Sequence, residues 1–306
     1  MDSNIYYGKG NIALYRSYAT PLTGITPIPE SPYVGQSNTI FGVDLDVEVF
    51  GDVFMPAYTE GDNTKVVPTA TITNFAFKKA LDFTGATREN FLYYLAQQYL
   101  AQYPDMESVR LTAKELPFIN QALTSDAGKT STASDRLLAP AHDSYGYAQI
   151  TMNRQGIISH ECGLYNNKLI KLTGNAFANF PRDEFTTLPD RIDRPLYIYM
   201  DMGWRYGDVQ DGIGDTYSRY IPSQQVYDHI THTFHDFLNM SIQHLVHEMG
   251  VRLLKRFPQM GEVWFKAQNR LWDTAAETPD STVKVYMDPR PPYGMIGLTL
   301  ARSDVE

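Results

Sequence analysis

Two stretches of this chain, residues 87–104 and 241–258, carry apolar residues at helical spacing and stop on the same signal, an aromatic residue followed by proline: Tyr103-Pro104 and Phe257-Pro258. Proline lacks the N–H and the backbone freedom to continue a helix, so both endings are firm. The patterns around them recur as well. In the first half, strand patterns at 12–18 and 41–51 precede helical patterns at 69–83 and 87–104, and strand patterns at 108–118 and 145–153 follow. The second half places strands at 160–174 and 194–207, helices at 223–238 and 241–258, and strands at 262–272 and 283–302. An order of ββααββ, met twice, predicts an α+β fold of two tandem modules, 1–155 and 156–306. Each is expected to be a four-stranded, mostly antiparallel sheet with both helices on one face. Open sheets leave unpaired edges, and closure into a barrel with another copy removes them, which predicts an oligomer.

The local signals are physical. Residues 41–51, FGVDLDVEVFG, alternate apolar with acidic side chains, the period of a strand with one wet face. Thr87 followed by Asn90 suits a helix N-cap, and Phe91, Tyr94, Leu95, Gln98 and Tyr99 then share one face. Ile242, Leu245, Val246, Met249, Leu253, Leu254 and Phe257 form the matching stripe in the second half. Residues 20–39, rich in Pro, Gly and Ser, read as an extended loop, and 124–135 as a polar, mobile link. Tyr occurs 21 times, which favours half-buried sheet surface.

Composition narrows the function. The formal charge is −9 and no long basic run occurs, which argues against nucleic acid as a partner. No apolar run approaches a membrane span, so no membrane role is expected. The N-terminal residues do not read as a secretory signal, nor the C-terminal ARSDVE as a peroxisomal address, so a cytoplasmic location is the default. The lone Cys162 fits a reducing compartment. With His160 on the same strand face it could form a nucleophile pair, against the plainer reading of a packed small hydrophobe.

Other candidates are weighed in the same way. His229, His232 and His235 recur every three residues, and His244, His247 and Glu248 follow, yet HLVHE matches no zinc-helix order, so a polar helix face is the simpler reading and no metal is assigned. Lys9, in YGKGN, lacks the spacing of a phosphate loop and as a base would need a lowered pKa. In DNTKVVPTATITN, Pro68 suits a loop entering a helix and Thr69 reads as its N-cap, where free amides could meet an anion.

Taken together, YGKGN, DNTKVVPT, LIKLTGNAFANFPRDEFTTLPD, SIQHL and DPRPPYG resemble the urate oxidase (uricase) family, in order and over nearly the whole chain. The RDEFTTL stretch is the most specific. The resemblance implies the tunnelling fold, in which two ββααββ modules per chain pair into a barrel and barrels stack into a homotetramer. It also implies cofactor-free oxidation of urate by dioxygen and water to 5-hydroxyisourate and hydrogen peroxide.

Residue by residue, the resemblance puts the family's base lysine on Lys9 and its threonine partner on Thr69. The stacking ring falls on Phe177, and the grip on the purine edge on Arg194 and Gln243. The backbone at Thr69, Ala70 and Ile242 also contacts substrate, and Asn269 holds oxygen or water above the ring. The implied sites lie at subunit interfaces, with Lys9 and Thr69 from one chain and Phe177, Arg194 and Gln243 from another. These types suit a flat anion: a ring to stack on, a rigid charged fork, and an amide that both donates and accepts. Arg182-Asp183-Glu184 reads as an ion network that places Arg194. The chain departs from the family twice. Ala70 replaces a frequent Asp, and Leu271 stands where the triad His is usual. These departures motivate an alternative, a catalytically impaired purine-binding relative. A pterin-acting enzyme of the same fold would need a Cys/His zinc site, which one cysteine does not suggest.

Overall fold

The computed structural model describes residues 5–125, 130–141, 143–278 and 282–305. They fall into two compact units. The first comprises Met1–Pro27, Tyr33–Cys162 and Asp208–Tyr220, the second Ile28–Pro32, Gly163–Gly207 and Ile221–Glu306. The chain passes from Cys162 to Gly163 within one long strand, Gly156–Lys171.

The first unit contains β1 (Tyr6–Ser17), β2 (Ile40–Phe50), α1 (Met55–Thr59), α2 (Thr69–Asp82), α3 (Arg88–Gln102), β3 (Ser108–Glu115), β4 (Phe118–Ser125), β5 (Thr130–Pro140), β6 (Tyr145–Asn153), the start of β7 (Gly156–Lys171) and the short α4 (Gln210–Ile213). Its sheet runs β1-β2-β3-β6, antiparallel at each of these junctions. The alternation in β2 works as read. Val43, Leu45, Val47 and Val49 are buried, while Glu48 pairs with Arg110 at 3.3 Å and Asp46 with Lys114 at 3.8 Å on the wet face. Helices α2 and α3 cover the apolar face through Ile72, Ala76, Phe91, Leu92, Leu95 and Tyr99. The Thr87 hydroxyl accepts from Asn90 N at 3.2 Å, the expected cap of α3.

The second unit contains the end of β7, β8 (Leu196–Tyr206), α5 (Ser223–Asp236), α6 (Ile242–Arg256), β9 (Met260–Asn269), β10 (Asp273–Glu277), β11 (Lys284–Met287) and β12 (Gly294–Ala301). Its strands order β7-β8-β9-β12, with β8, β9 and β12 antiparallel. Helix α6 lies on β9 and β12, and its predicted stripe is buried from Ile242 to Phe257. The molecule is thus α+β with antiparallel sheets.

The structure corrects several readings. Of the residues read as a polar link, 124–125 and 130–135 belong to β4 and β5, which pair antiparallel, and 126–129 lie outside the described residues. A second antiparallel pair, β10 with β11, occupies the equivalent place in the second unit, between β9 and β12. Every residue of β10 is exposed, so it carries no burial alternation that sequence could reveal. The single strand expected over 283–302 is split, because Pro289, Pro291 and Pro292 cannot donate to a ladder. Strand β1 begins at Tyr6, six residues before the expected start.

Candidate active site

In the first unit, the glycines of YGKGN have a steric reason. A Cβ on Gly8 would lie 1.8 Å from Val47 O, and one on Gly10 2.9 Å from Asp46 Oδ1. The register between β1 and β2 slips between Lys9 and Ile12, and Asn11 takes φ +56 while its amide donates to Asp46 Oδ1 at 2.7 Å. Lys9, itself paired with Val47, thus flanks a β-bulge at Gly10 and Asn11, and it is exposed. Two residues earlier, Tyr7 Oη accepts from Val67 N at 3.1 Å, which ties β1 to the segment leading into α2.

Thr69 is not the N-cap of α2. Pro68 holds that place with ψ 137, and its carbonyl accepts from Thr71 N at 2.8 Å and Ile72 N at 3.1 Å. Thr69 and Ala70 are the first helical residues, so their amides precede the first intrahelical bonds. Proline's fixed φ and missing N–H suit the entry, which moves the start one residue early.

The other five predicted residues belong to the second unit: Phe177 and Arg194 lie between β7 and β8, Ile242 and Gln243 open α6, and Asn269 ends β9. Arg194 Cζ lies 5.7 Å from the Phe177 ring centroid. Phe177 and Arg191 exchange two backbone hydrogen bonds of 2.8 and 2.9 Å. Ala176 N donates to Asn239 O at 2.9 Å, which brings the Phe177 loop to the start of α6. There Ser241 caps the helix, accepting from His244 N at 3.0 Å, and Ile242 and Gln243 are its first two residues, the former buried and the latter exposed. Asn269 ends β9 opposite Ile198, near the start of β8.

Burial pushes the Arg194 pKa down, helped by the positive charge of Arg191. Its Nε is buried without a partner among the described residues, as are Asn269 Oδ1 and both amide atoms of Asn239. Buried polar groups of this kind are ordinarily satisfied by water or ligand. The arrangement can offer a planar anion a ring face, a cationic fork and backbone amides at a helix N-terminus.

The charged triplet does something other than hold Arg194. Phe180 stacks on Phe177 at 5.0 Å and 17°, and Arg182 lies over Phe180 at 4.9 Å. Arg182 also pairs with Asp190 at 3.1 Å, while Asp183 closes its own turn by accepting from Phe185 N and Thr186 Oγ1. Of the triplet, Arg182 therefore backs the Phe177 ring through Phe180. Sequence reasoning missed Asn175 and Asp193, which hold the backbone around Arg194, and it missed the Ser241 cap. A Ser before the α6 stripe was an available signal for the last; the other two had none.

Cys162 is buried beside Glu89 and Arg88, and burial first, then Glu89, raises its thiol pKa well above the ordinary value. A thiol so placed is a poor nucleophile. Among the described residues, no three of His, Cys, Asp and Glu converge as metal ligands. No helix among them is long and apolar enough to cross a membrane.

A family profile described as Uricase matches residues 160–297. The uricase of Haloferax volcanii is 38% identical over 98% of this chain and 99% of its own length. The chain belongs to the uricase family. That membership agrees with the resemblance carried by the sequence motifs. The uricase of Bacillus fastidious superposes with TM-score 0.95 at 37% identity, covering 100% of this chain and 96% of that one. Urate oxidase of Bacillus sp. TB-90 gives TM-score 0.93 at 39% identity, covering 97% and 99%. Uricase-like sequence also occurs within longer proteins. The chain spans 61% and 63% of the length of two relatives called uric acid degradation bifunctional protein, from Bacillus sp. TB-90 and Bacillus subtilis, each 38% identical to it.

Proposed function

We propose that this chain oxidises urate with dioxygen and water to 5-hydroxyisourate and hydrogen peroxide, without a cofactor. The observation that carries the reading is the Arg194 guanidinium held 5.7 Å from the Phe177 ring, next to the N-terminus of α6. A flat, anionic heterocycle stacks on Phe177, and its edge is bound by Arg194 and Gln243. Ile242 contributes its backbone amide, and Asn269 holds dioxygen or water over the ring. Lys9 and Thr69 take up the substrate proton, and the Thr69 and Ala70 amides stabilise the anion. Because dioxygen is a triplet, the electron-rich urate anion first gives up one electron; radical recombination and water addition then follow. The residues' part is to deprotonate, orient and desolvate.

In this reading the two units are tandem tunnelling-fold modules. Copies of the chain close the barrel as a homotetramer, and Lys9 and Thr69 serve a site whose Phe177, Arg194 and Gln243 come from another protomer. A cytoplasmic enzyme of purine breakdown is the setting this chemistry fits. The test is chelator-treated protein mixed with urate in air, following loss of urate absorbance and formation of peroxide. Turnover in step with peroxide is expected; activity abolished by the chelator sinks the cofactor-free reading.

Leu271, half-buried at the family's histidine position, favours a second reading, a purine binder with impaired turnover. It predicts tight urate binding, negligible peroxide, and a rise in turnover for Leu271→His.

A further inference from the structure

We infer that Asn175 is the residue that positions Arg194 for substrate, a role that rests on the urate-site reading above. Asn175 is 1% exposed and bonds both backbone polar groups of Arg194. Its carbonyl accepts from Arg194 N at 3.0 Å, and its Nδ2 donates to Arg194 O at 3.1 Å. The same amide group reaches Lys171 O at 3.1 Å and Thr173 O at 3.2 Å, so the end of β7 and the start of β8 share one clamp.

The clamp is itself anchored. Lys171 Nζ donates to Phe234 O and Phe237 O, both at 2.9 Å, which fixes the end of β7 to the last turn of α5. Asp193 adds a second tie across the same gap, accepting from Thr173 Oγ1 at 2.6 Å and Gly174 N at 2.7 Å. Next to Asn175, the Ala176 amide bonds Asn239 O at 2.9 Å, two residues before the cap of α6. The Phe177 loop, the Arg194 backbone and the segment before α6 therefore meet at Asn175 and Ala176, and the Asn175 side chain supplies the bond to Arg194 O. Arg194 has few partners of its own: its Nε is buried without one among the described residues. Its direction is set from the backbone, where Asn175 acts.

The test is a double-mutant cycle between Asn175→Ala and Arg194→Ala. The readouts are the affinity for 8-azaxanthine as an oxidation-resistant purine, KM and kcat for urate, and Tm. We expect Asn175→Ala to weaken analogue binding and raise KM by about tenfold, with kcat little changed. In the Arg194→Ala background the same substitution should cost about twofold at most, because the group it aims is gone. An equal loss in both backgrounds, or parental affinity in Asn175→Ala, overturns the inference. Should Asn175→Ala fail to fold, the exposed Asp193→Asn decides: a loss confined to the Arg194-containing background supports the clamp, and unchanged or equal binding in both refutes it. If the parent protein itself neither binds the analogue nor consumes urate, the urate reading has failed, not the clamp.

Discussion

The Arg88 guanidinium and the Glu115 carboxylate meet at 2.7 Å over the backbone of Gly146, so closely that a Cβ there would lie 2.2 Å from Arg88 Nη1 and 2.6 Å from Glu115 Oε2. Arg88 also pairs with the buried Glu89 at 3.2 Å, and Glu89 accepts from Tyr220 Oη at 2.9 Å. The cluster locks the first turn of α3 onto the sheet of the first unit. Gly146→Ala must push the guanidinium aside and leave buried charge unpaired, a loss of about 3 kcal/mol or more. Denaturant unfolding should show the lower midpoint, and parental stability would refute the close packing.

Ser241→Ala removes the cap of α6. The expected cost is about 1 kcal/mol, read by urea unfolding. Because Gln243 is the second residue of that helix, fraying should also raise KM for urate with little change in kcat. A stability loss with unchanged KM would detach the cap from the site.

His229 gives a pH dependence of stability. Burial lowers its pKa to about 4, with Glu30 opposing and Arg256, His232 and Arg252 reinforcing the shift. The unfolded imidazole titrates near ~6.5. Between these values the unfolded chain binds a proton that the folded one refuses, so stability rises with pH across this window and is fully present above it. The shift amounts to roughly 3 kcal/mol at most. Unfolding measured from pH 4 to 7 should show a slope that His229→Gln flattens; an unaltered slope assigns the dependence elsewhere.

Lys9→Ala and Arg194→Ala should separate the two halves of the chemistry. Loss of Lys9, the proposed proton acceptor, should lower kcat by about 100-fold or more, with analogue binding retained. Loss of the guanidinium weakens capture first, by about 10- to 100-fold. Arg194→Lys should recover little, because an ammonium lacks the planar fork. Lost analogue binding in Lys9→Ala with undiminished kcat would reverse the assignments.

Much of this was written in one dimension. The alternation of β2, the Thr87 cap, the Pro-ended helices and the apolar stripe of α6 follow from local periodicity and local hydrogen bonding, which act within a few residues. The motifs around Lys9, Thr69, Phe177 and Gln243 likewise pointed to the family, and that resemblance named the candidate ligands. What no local rule could supply was how those ligands are held. Asn175 meets Arg194 across 19 residues, Phe180 passes Arg182's support to Phe177, and a lysine's flanking glycines turn out to accommodate Val47 and Asp46 of the next strand. Strand β10 escaped because every one of its residues is exposed and so carries no alternation. Sequence decided which groups are available and which segments are regular; only tertiary packing decided which buried amide, bulge or ring orients each group, because those contacts join residues whose separation along the chain carries no signal.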